Sequence, residues 1–134
     1  MLDPADYLAE IQLALVSSPV IADYQIVRSW VNVDDGYIRI RATLTNGDFV
    51  EAAEYFELDG SIVRTVDYRH QWMDSQKLTL IRRWDNSPDH PELSGFPHHV
   101  HVASEAIVFP GEFVSLLSLL NILEDELTGA NLAL

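Results

Sequence analysis

The stretch Tyr37-Ile38-Arg39-Ile40-Arg41-Ala42-Thr43-Leu44 alternates in character, with Ile38, Ile40, Ala42 and Leu44 all falling on one side. Successive side chains of a strand point to opposite faces, so this pattern specifies a half-buried antiparallel strand. Turn signals flank it at Asp34-Asp35-Gly36 and Asn46-Gly47, and a third lies at Asp59-Gly60. Each is bordered by β-branched or aromatic runs, which reads as consecutive hairpins. The strands are expected near residues 21–33, 37–45, 49–57, 61–72 and 78–85, with a further short one near Val100 to Ala106.

Before the strands, Asp3 precedes Pro4 and Asp6 follows in the first turn, the signature of a helix start. Asp caps free amides, Pro suits the first helical position, and acids favour the positive end of the helix. Leu8, Ile11 and Leu15 supply one apolar stripe, and Ser17-Ser18-Pro19 ends the helix predicted over residues 4–17. A second helix is predicted over residues 112–127, where Phe113, Leu116, Leu117, Leu120 and Leu123 form the stripe. Val114, Leu119 and Ile122 widen that stripe, so it packs against both sheet and first helix or serves as a homodimer or partner interface. The expected architecture is α+β: an antiparallel β-meander of five or six strands with N- and C-terminal helices packed on it, in one domain spanning residues 1–134.

Composition narrows the classes of function. The absence of cysteine excludes a disulfide framework, a thiolate nucleophile and sulfur-ligated zinc, and points to a reducing, cytoplasmic home. No run approaches the roughly 18–20 apolar residues of a membrane span, and Met1-Leu2-Asp3-Pro4 lacks the positive charge of a secretory signal. The formal net charge of −13 repels nucleic acid over most of the surface. Its distribution is uneven: residues 61–104 hold 5 bases and 5 acids, whereas residues 105–134 hold no base. That neutral middle segment also contains all 5 histidines. Within it, residues 86–97 carry three prolines and a glycine and cannot be regular, and a loop of about 12 residues in a compact domain is more often functional than connective.

The chemistry on offer is that of RNA cleavage. A metal-independent cut needs a base for the 2′-hydroxyl, an acid for the leaving oxygen and a cation for the phosphorus centre. Arg69, His70, His98, His99 and His101 are the candidate catalytic groups, with His90 between Asp89 and Pro91 read as a loop residue. Tyr68, Trp72, Arg82, Arg83 and Trp84 are candidates for stacking on bases and holding phosphate. Each also has a plainer reading: the arginines as partners of Asp67, Asp85 or Glu92 in surface bridges, and the tryptophans as core. In extended chain His99 and His101 share a side, and so do Tyr68 and His70. Pairing residues 61–72 with 78–85 through a turn near Asp74-Ser75 is expected to set Arg82 and Arg83 alongside Val66 to Tyr68, gathering one site. His99 and His101 also form a His-x-His pair that suits zinc or another divalent ion, with Asp85, Asp89 or Glu92 completing the shell; the first reading needs no cofactor.

The blocks Tyr68-Arg69-His70-Gln71-Trp72, Arg82-Arg83-Trp84-Asp85-Asn86, His90-Pro91-Glu92 and Phe96-Pro97-His98-His99-Val100-His101 resemble the TumE family of prokaryotic toxin–antitoxin proteins. The resemblance implies a toxin-type component, an endoribonuclease by expectation, encoded beside a helix-turn-helix antitoxin. Val100 departs from the basic or polar residue expected there, and the net acidity departs from the basic surface of an RNA-cutting toxin. The competing reading is a non-enzymatic acidic module that uses its surface and the second helix to engage a DNA-binding partner.

Overall fold

The computed structural model describes residues 2–129. Helix α1, Pro4–Ser17, begins as its sequence dictates: the Asp3 carboxylate accepts from the Asp6 amide and the Asp6 carboxylate accepts from the Asp3 amide, closing a reciprocal cap. Seven strands follow, β1 (Ile21–Val31), β2 (Asp35–Leu44), β3 (Phe49–Asp59), β4 (Ile62–Met73), β5 (Leu80–Asp85), β6 (His99–Val102) and β7 (Val108–Pro110), and helix α2 (Leu116–Thr128) closes the order. The strands form one antiparallel meander in which spatial order equals chain order. The architecture is therefore the α+β arrangement expected. It has one strand more than expected, because residues 100–106 split into β6 and a turn that leads into β7. Helix α2 starts at Leu116 rather than Glu112, since Ser115 takes the cap and its hydroxyl accepts from the Ser118 amide. Among the described residues no helix is long and apolar enough to cross a membrane.

One face of the sheet is covered by both helices. Ile38, Ile40, Ala42 and Leu44 from β2 and Val50, Ala52 and Phe56 from β3 are buried there against Ile11 and Leu15 of α1 and Leu116, Leu119 and Leu123 of α2. The wide stripe of α2 is thus spent on the sheet and α1. Each fully buried aliphatic or aromatic side chain contributes about 1.5–3 kcal/mol of apolar transfer.

A polar residue lies inside this apolar face. Glu54 has no exposure, and its carboxylate accepts from Tyr7 Oη (2.9 Å), Thr65 Oγ1 (2.7 Å) and the Leu116 amide (2.8 Å). It joins α1, β4 and the first turn of α2. A bulge between Tyr55 and Phe56 makes this possible: Tyr55 pairs with Asp67 but Phe56 pairs with Thr65, which turns the Thr65 hydroxyl onto the helix face. Burial pushes the Glu54 carboxyl above its usual range, while the three donors pull it back.

The β4–β5 hairpin corrects one expectation. Arg82 pairs with Trp72 and Arg83 with Gln71, not with Val66 to Tyr68. The turn sits near residues 74–79, where the Asp74 carboxylate accepts from the Leu78 and Thr79 amides. That centre brings Asp85 opposite Arg69.

Candidate functional site

The pleat of β4, β5 and β6 sorts the candidate residues onto opposite faces. Paired residues across an antiparallel ladder share a face. Tyr68, His70 and Trp72 of β4 and Arg82 and Trp84 of β5 therefore look toward the helices, whereas Arg69, Gln71, Arg83, Asp85, His99 and His101 lie on the other, open face.

On the helix face the histidines hold the fold together. His70 has no exposure, and its Nε2 lies 2.9 Å from the Val114 carbonyl just before α2. Burial pushes its pKa down to about 4, so the ring is neutral at pH 7 and Nε2–H is the donor. The Tyr68 ring stacks on His70 on one side and on His98 on the other, with centroids 5.4 and 5.8 Å away. Tyr68 Oη lies 2.8 Å from His98 Nδ1 and donates to the Glu112 carbonyl. Trp72 and Trp84 are buried, and the Arg82 guanidinium lies over both rings at 5.1 and 5.3 Å while pairing with Glu126 at 2.8 Å. The sequence points to His70, Trp72, Arg82 and Trp84 as part of the chemistry; the structure places them under the helices.

On the open face the remaining groups converge. His99 and His101 of β6 are 2% and 4% exposed, with centroids 4.9 Å apart. Each ring is oriented by its own backbone partner: His99 Nδ1 lies 3.0 Å from the Pro97 carbonyl, and His101 Nδ1 lies 3.0 Å from the Glu105 carbonyl. A carbonyl can only accept, so both Nδ1 atoms carry hydrogen, and in each ring Nε2 is the nitrogen left to face the cluster. Burial holds His101 below its ordinary pKa, and nearby Arg83 and His99 push the same way. His90 enters from the loop, its ring 5.0 Å from His99 and 5.8 Å from His101.

Asp85 completes the cluster. Its Oδ1 is 2.9 Å from His99 Nε2 and its Oδ2 is 3.9 Å from His101 Nε2. The contact to His99 becomes an ion pair when the ring is protonated, and His99 Nε2 is buried without a hydrogen-bond partner. Asp85 is itself held by Arg83 Nε (3.1 Å) and by the Ser87 amide (3.1 Å). Arg83, 8% exposed, also grips the Glu105 carboxylate with both terminal nitrogens and so ties the β6–β7 turn over the histidines. Gly111 lets the strands close tightly, since a Cβ there would stand 2.9–3.1 Å from the His99 backbone.

Beside the cluster runs a cleft of about 300 Å³ lined by Tyr37, Ala53, Tyr55, Asp67, Arg69, Asn86, Ser87 and Pro88. Arg69 stands at its wall directly opposite Asp85. It makes no ion pair among the described residues, and its guanidinium reaches only Gln71 Oε1 at 3.4 Å. Trp30, Tyr37 and Tyr55 extend the same face, Trp30 stacking on Tyr37 at 6.0 Å and tilting on Tyr55 at 5.9 Å. Sequence reasoning misses these aromatics, although their outward places in alternating strands are the signal. Glu105, which orients Arg83, carries no such signal because a turn brings it there.

No curated protein and no solved structure matches the chain. The family model described as Toxin TumE matches residues 10–129, which include every group of the open-face cluster together with the helix-face network. The chain belongs to the TumE toxin family.

Proposed function

We propose that this toxin acts on RNA as an endoribonuclease, with the reaction carried out on the open face where Arg69 and the His90–His99–His101–Asp85 cluster meet. The observation that carries the reading is the pairing of Arg69 with Asp85: it sets an exposed guanidinium without an ion pair at the edge of the histidine cluster. A guanidinium is the side chain best matched to a phosphodiester, and an adjacent basic group can activate the attacking oxygen. Trp30, Tyr37 and Tyr55 offer faces for unpaired bases, which favours single-stranded RNA. The −13 charge elsewhere disfavours loose binding to nucleic acid and leaves this patch as the place of contact.

A toxin of this family works against a cognate antitoxin. A helix-turn-helix antitoxin, basic where it meets DNA, complements the acidic surface, and both proteins act in the cytoplasm. The free edge of the sheet at β1, with Val27 and Val31 exposed, is suited to pair with a second copy as a homodimer. The test is expression without antitoxin, followed by incubation of purified chain with single-stranded RNA. Growth arrest and cleavage are expected, and both should be lost in Arg69→Ala. Intact RNA and unimpeded growth would leave the acidic binding module as the better reading, which the low exposure of His99 and His101 favours.

A further inference from the structure

We propose that His90, His99 and His101, together with Asp85, form a binding site for one divalent first-row metal ion of the zinc type. One ring nitrogen from each of the three histidines lies within 4.8 Å of the others. The Nδ1 bonds of His99 and His101 to backbone carbonyls are the outer arrangement that fixes a metal-binding tautomer and aims Nε2 inward.

The arrangement around His99 calls for a cation. His99 Nε2 and Asp85 Oδ1 stand 2.9 Å apart in a place sealed from water, and no hydrogen bond satisfies the ring nitrogen. Such a contact is repulsive unless something positive joins it, because a buried polar atom without a partner costs about 1–3 kcal/mol. A proton on His99 Nε2 would turn this one contact into an ion pair. A metal ion would draw on both lone pairs and also engage the ring nitrogens of His90 and His101. Arg83, the nearest fixed cation, is engaged with the far oxygen of Asp85 and with Glu105.

Three imidazoles and one carboxylate are a borderline donor set, which selects zinc, cobalt or nickel over magnesium and calcium. Tetrahedral zinc with bonds of roughly 2.0–2.1 Å sets its donors about 3.3 Å apart, so His99 and Asp85, now 2.9 Å apart, open slightly while the three ring nitrogens, within 4.8 Å of one another, draw in, and the movable partner is His90. It is the one ligand carried by the irregular loop, and its side chain is 31% exposed. Binding would therefore draw the loop onto β6. The ion site stands without the RNA-cutting reading, although an ion there would lie near Arg69, which pairs with Asp85 across the strands.

The experiment is titration of full-length, chelator-stripped protein with cobalt(II), then displacement by zinc. Visible absorption bands of a low-symmetry nitrogen-bound cobalt ion are expected at one equivalent, abolished by zinc but not by magnesium. His101→Gln and the half-buried His90→Gln should weaken binding at least tenfold, with far-ultraviolet circular dichroism reporting that each variant folds. His98→Gln, on the opposite face, should titrate as the parent does. Absence of stoichiometric binding, or binding that His90→Gln and His101→Gln leave intact, would overturn the site. RNA cleavage measured on the same stripped protein reports separately: cleavage without ion binding sinks only the metal, and ion binding without cleavage sinks only the nuclease.

Discussion

The two faces of this sheet carry the same residue types and put them to opposite uses. Under the helices, His70, Tyr68 and Glu54 reach from the sheet to the start of α2, at Val114, Glu112 and the Leu116 amide, and Glu54 also holds Tyr7 of α1 and Thr65 of β4. On the open face, His90, His99 and His101 turn ring nitrogens toward one another, and Asp85 faces the last two. Hydrogen bonds to other segments tie those segments together, whereas ring nitrogens that face one another leave a shared need that an outside group can meet. The buried Nδ1 of His70 also lacks a partner, but no second imidazole or carboxylate faces it. A histidine's role is therefore set by what its second nitrogen faces.

The largest expected effect lies on the helix face, at Glu54. Glu54→Leu removes one acceptor shared by three buried donors, each costing about 1–3 kcal/mol when left unpaired, so a loss of about 3–5 kcal/mol in urea unfolding is expected. Glu54→Gln keeps one carbonyl for the Leu116 amide and should lose less. The Gln variant also tests the charge. Because burial raises the Glu54 pKa above its unfolded value, the stability linked to its protonation is present at low pH and lost as pH rises through the folded pKa. Glu54→Gln should flatten that loss. If Glu54→Leu unfolds at the same urea concentration as the parent, the hub holds nothing together.

Next comes Arg69 on the open face. Arg69→Ala should lower RNA cleavage by about 100-fold, near 2.7 kcal/mol in transition-state terms, while unfolding stays within about 0.5 kcal/mol of the parent, because the side chain is exposed and makes one weak bond. A variant that unfolds, or that cleaves normally, would remove Arg69 from the site.

His70 has an effect smaller again and readable through pH. Its folded pKa of about 4 lies below the unfolded value near 6.5, so folding is undisturbed by this group above pH 6.5. Below it the unfolded chain takes up a proton that the folded chain refuses, and stability falls until about pH 4. Between pH 7 and pH 5 that amounts to about 2 kcal/mol. His70→Gln can still donate to the Val114 carbonyl but does not titrate, so its stability should drop by about 2 kcal/mol less than the parent's over that interval. Parallel curves would mean that His70 is already charged or exposed.

These contrasts also explain what the sequence could reveal. Helix α1 and the strands β2 to β4 were legible because their signals are local: a capping pair at Asp3 and Asp6, alternation at residues 37–44, and turn residues between hairpins. Even Glu54 was legible in principle, standing in step with Val50, Ala52 and Phe56 on a buried side. That His99 and His101 share a side was readable for the same reason. The division of the histidines was not, because it depends on register: where the β4–β5 turn centres decides whether Arg82 and Arg83 lie alongside Val66 to Tyr68 or alongside Gln71 and Trp72, with Asp85 opposite Arg69. His90 reaches the cluster through a loop with no period at all, and Glu105 does so through a turn.

The smallest expected effect separates two neighbours. Arg82 and Arg83 are adjacent, so the pleat sends one to each face. Arg82 lies over Trp72 and Trp84 and pairs with the half-exposed Glu126, whereas Arg83 is buried and holds two carboxylates. Lysine keeps the charge but loses the flat, forked guanidinium. At Arg82 the loss is of stacking at a partly wet site, about 0.5–1 kcal/mol, because the pair with Glu126 can re-form and exposed pairs are worth little. At Arg83 a lysine cannot serve Asp85 and both oxygens of Glu105 together, so the cost should be about twice as large and should loosen the turn that covers His101. Hydrogen exchange at residues 103–107 distinguishes the two: it should quicken in Arg83→Lys and stay unchanged in Arg82→Lys. If both variants respond alike, the faces are coupled through β5, and the division of labour between them is less sharp than their contacts imply.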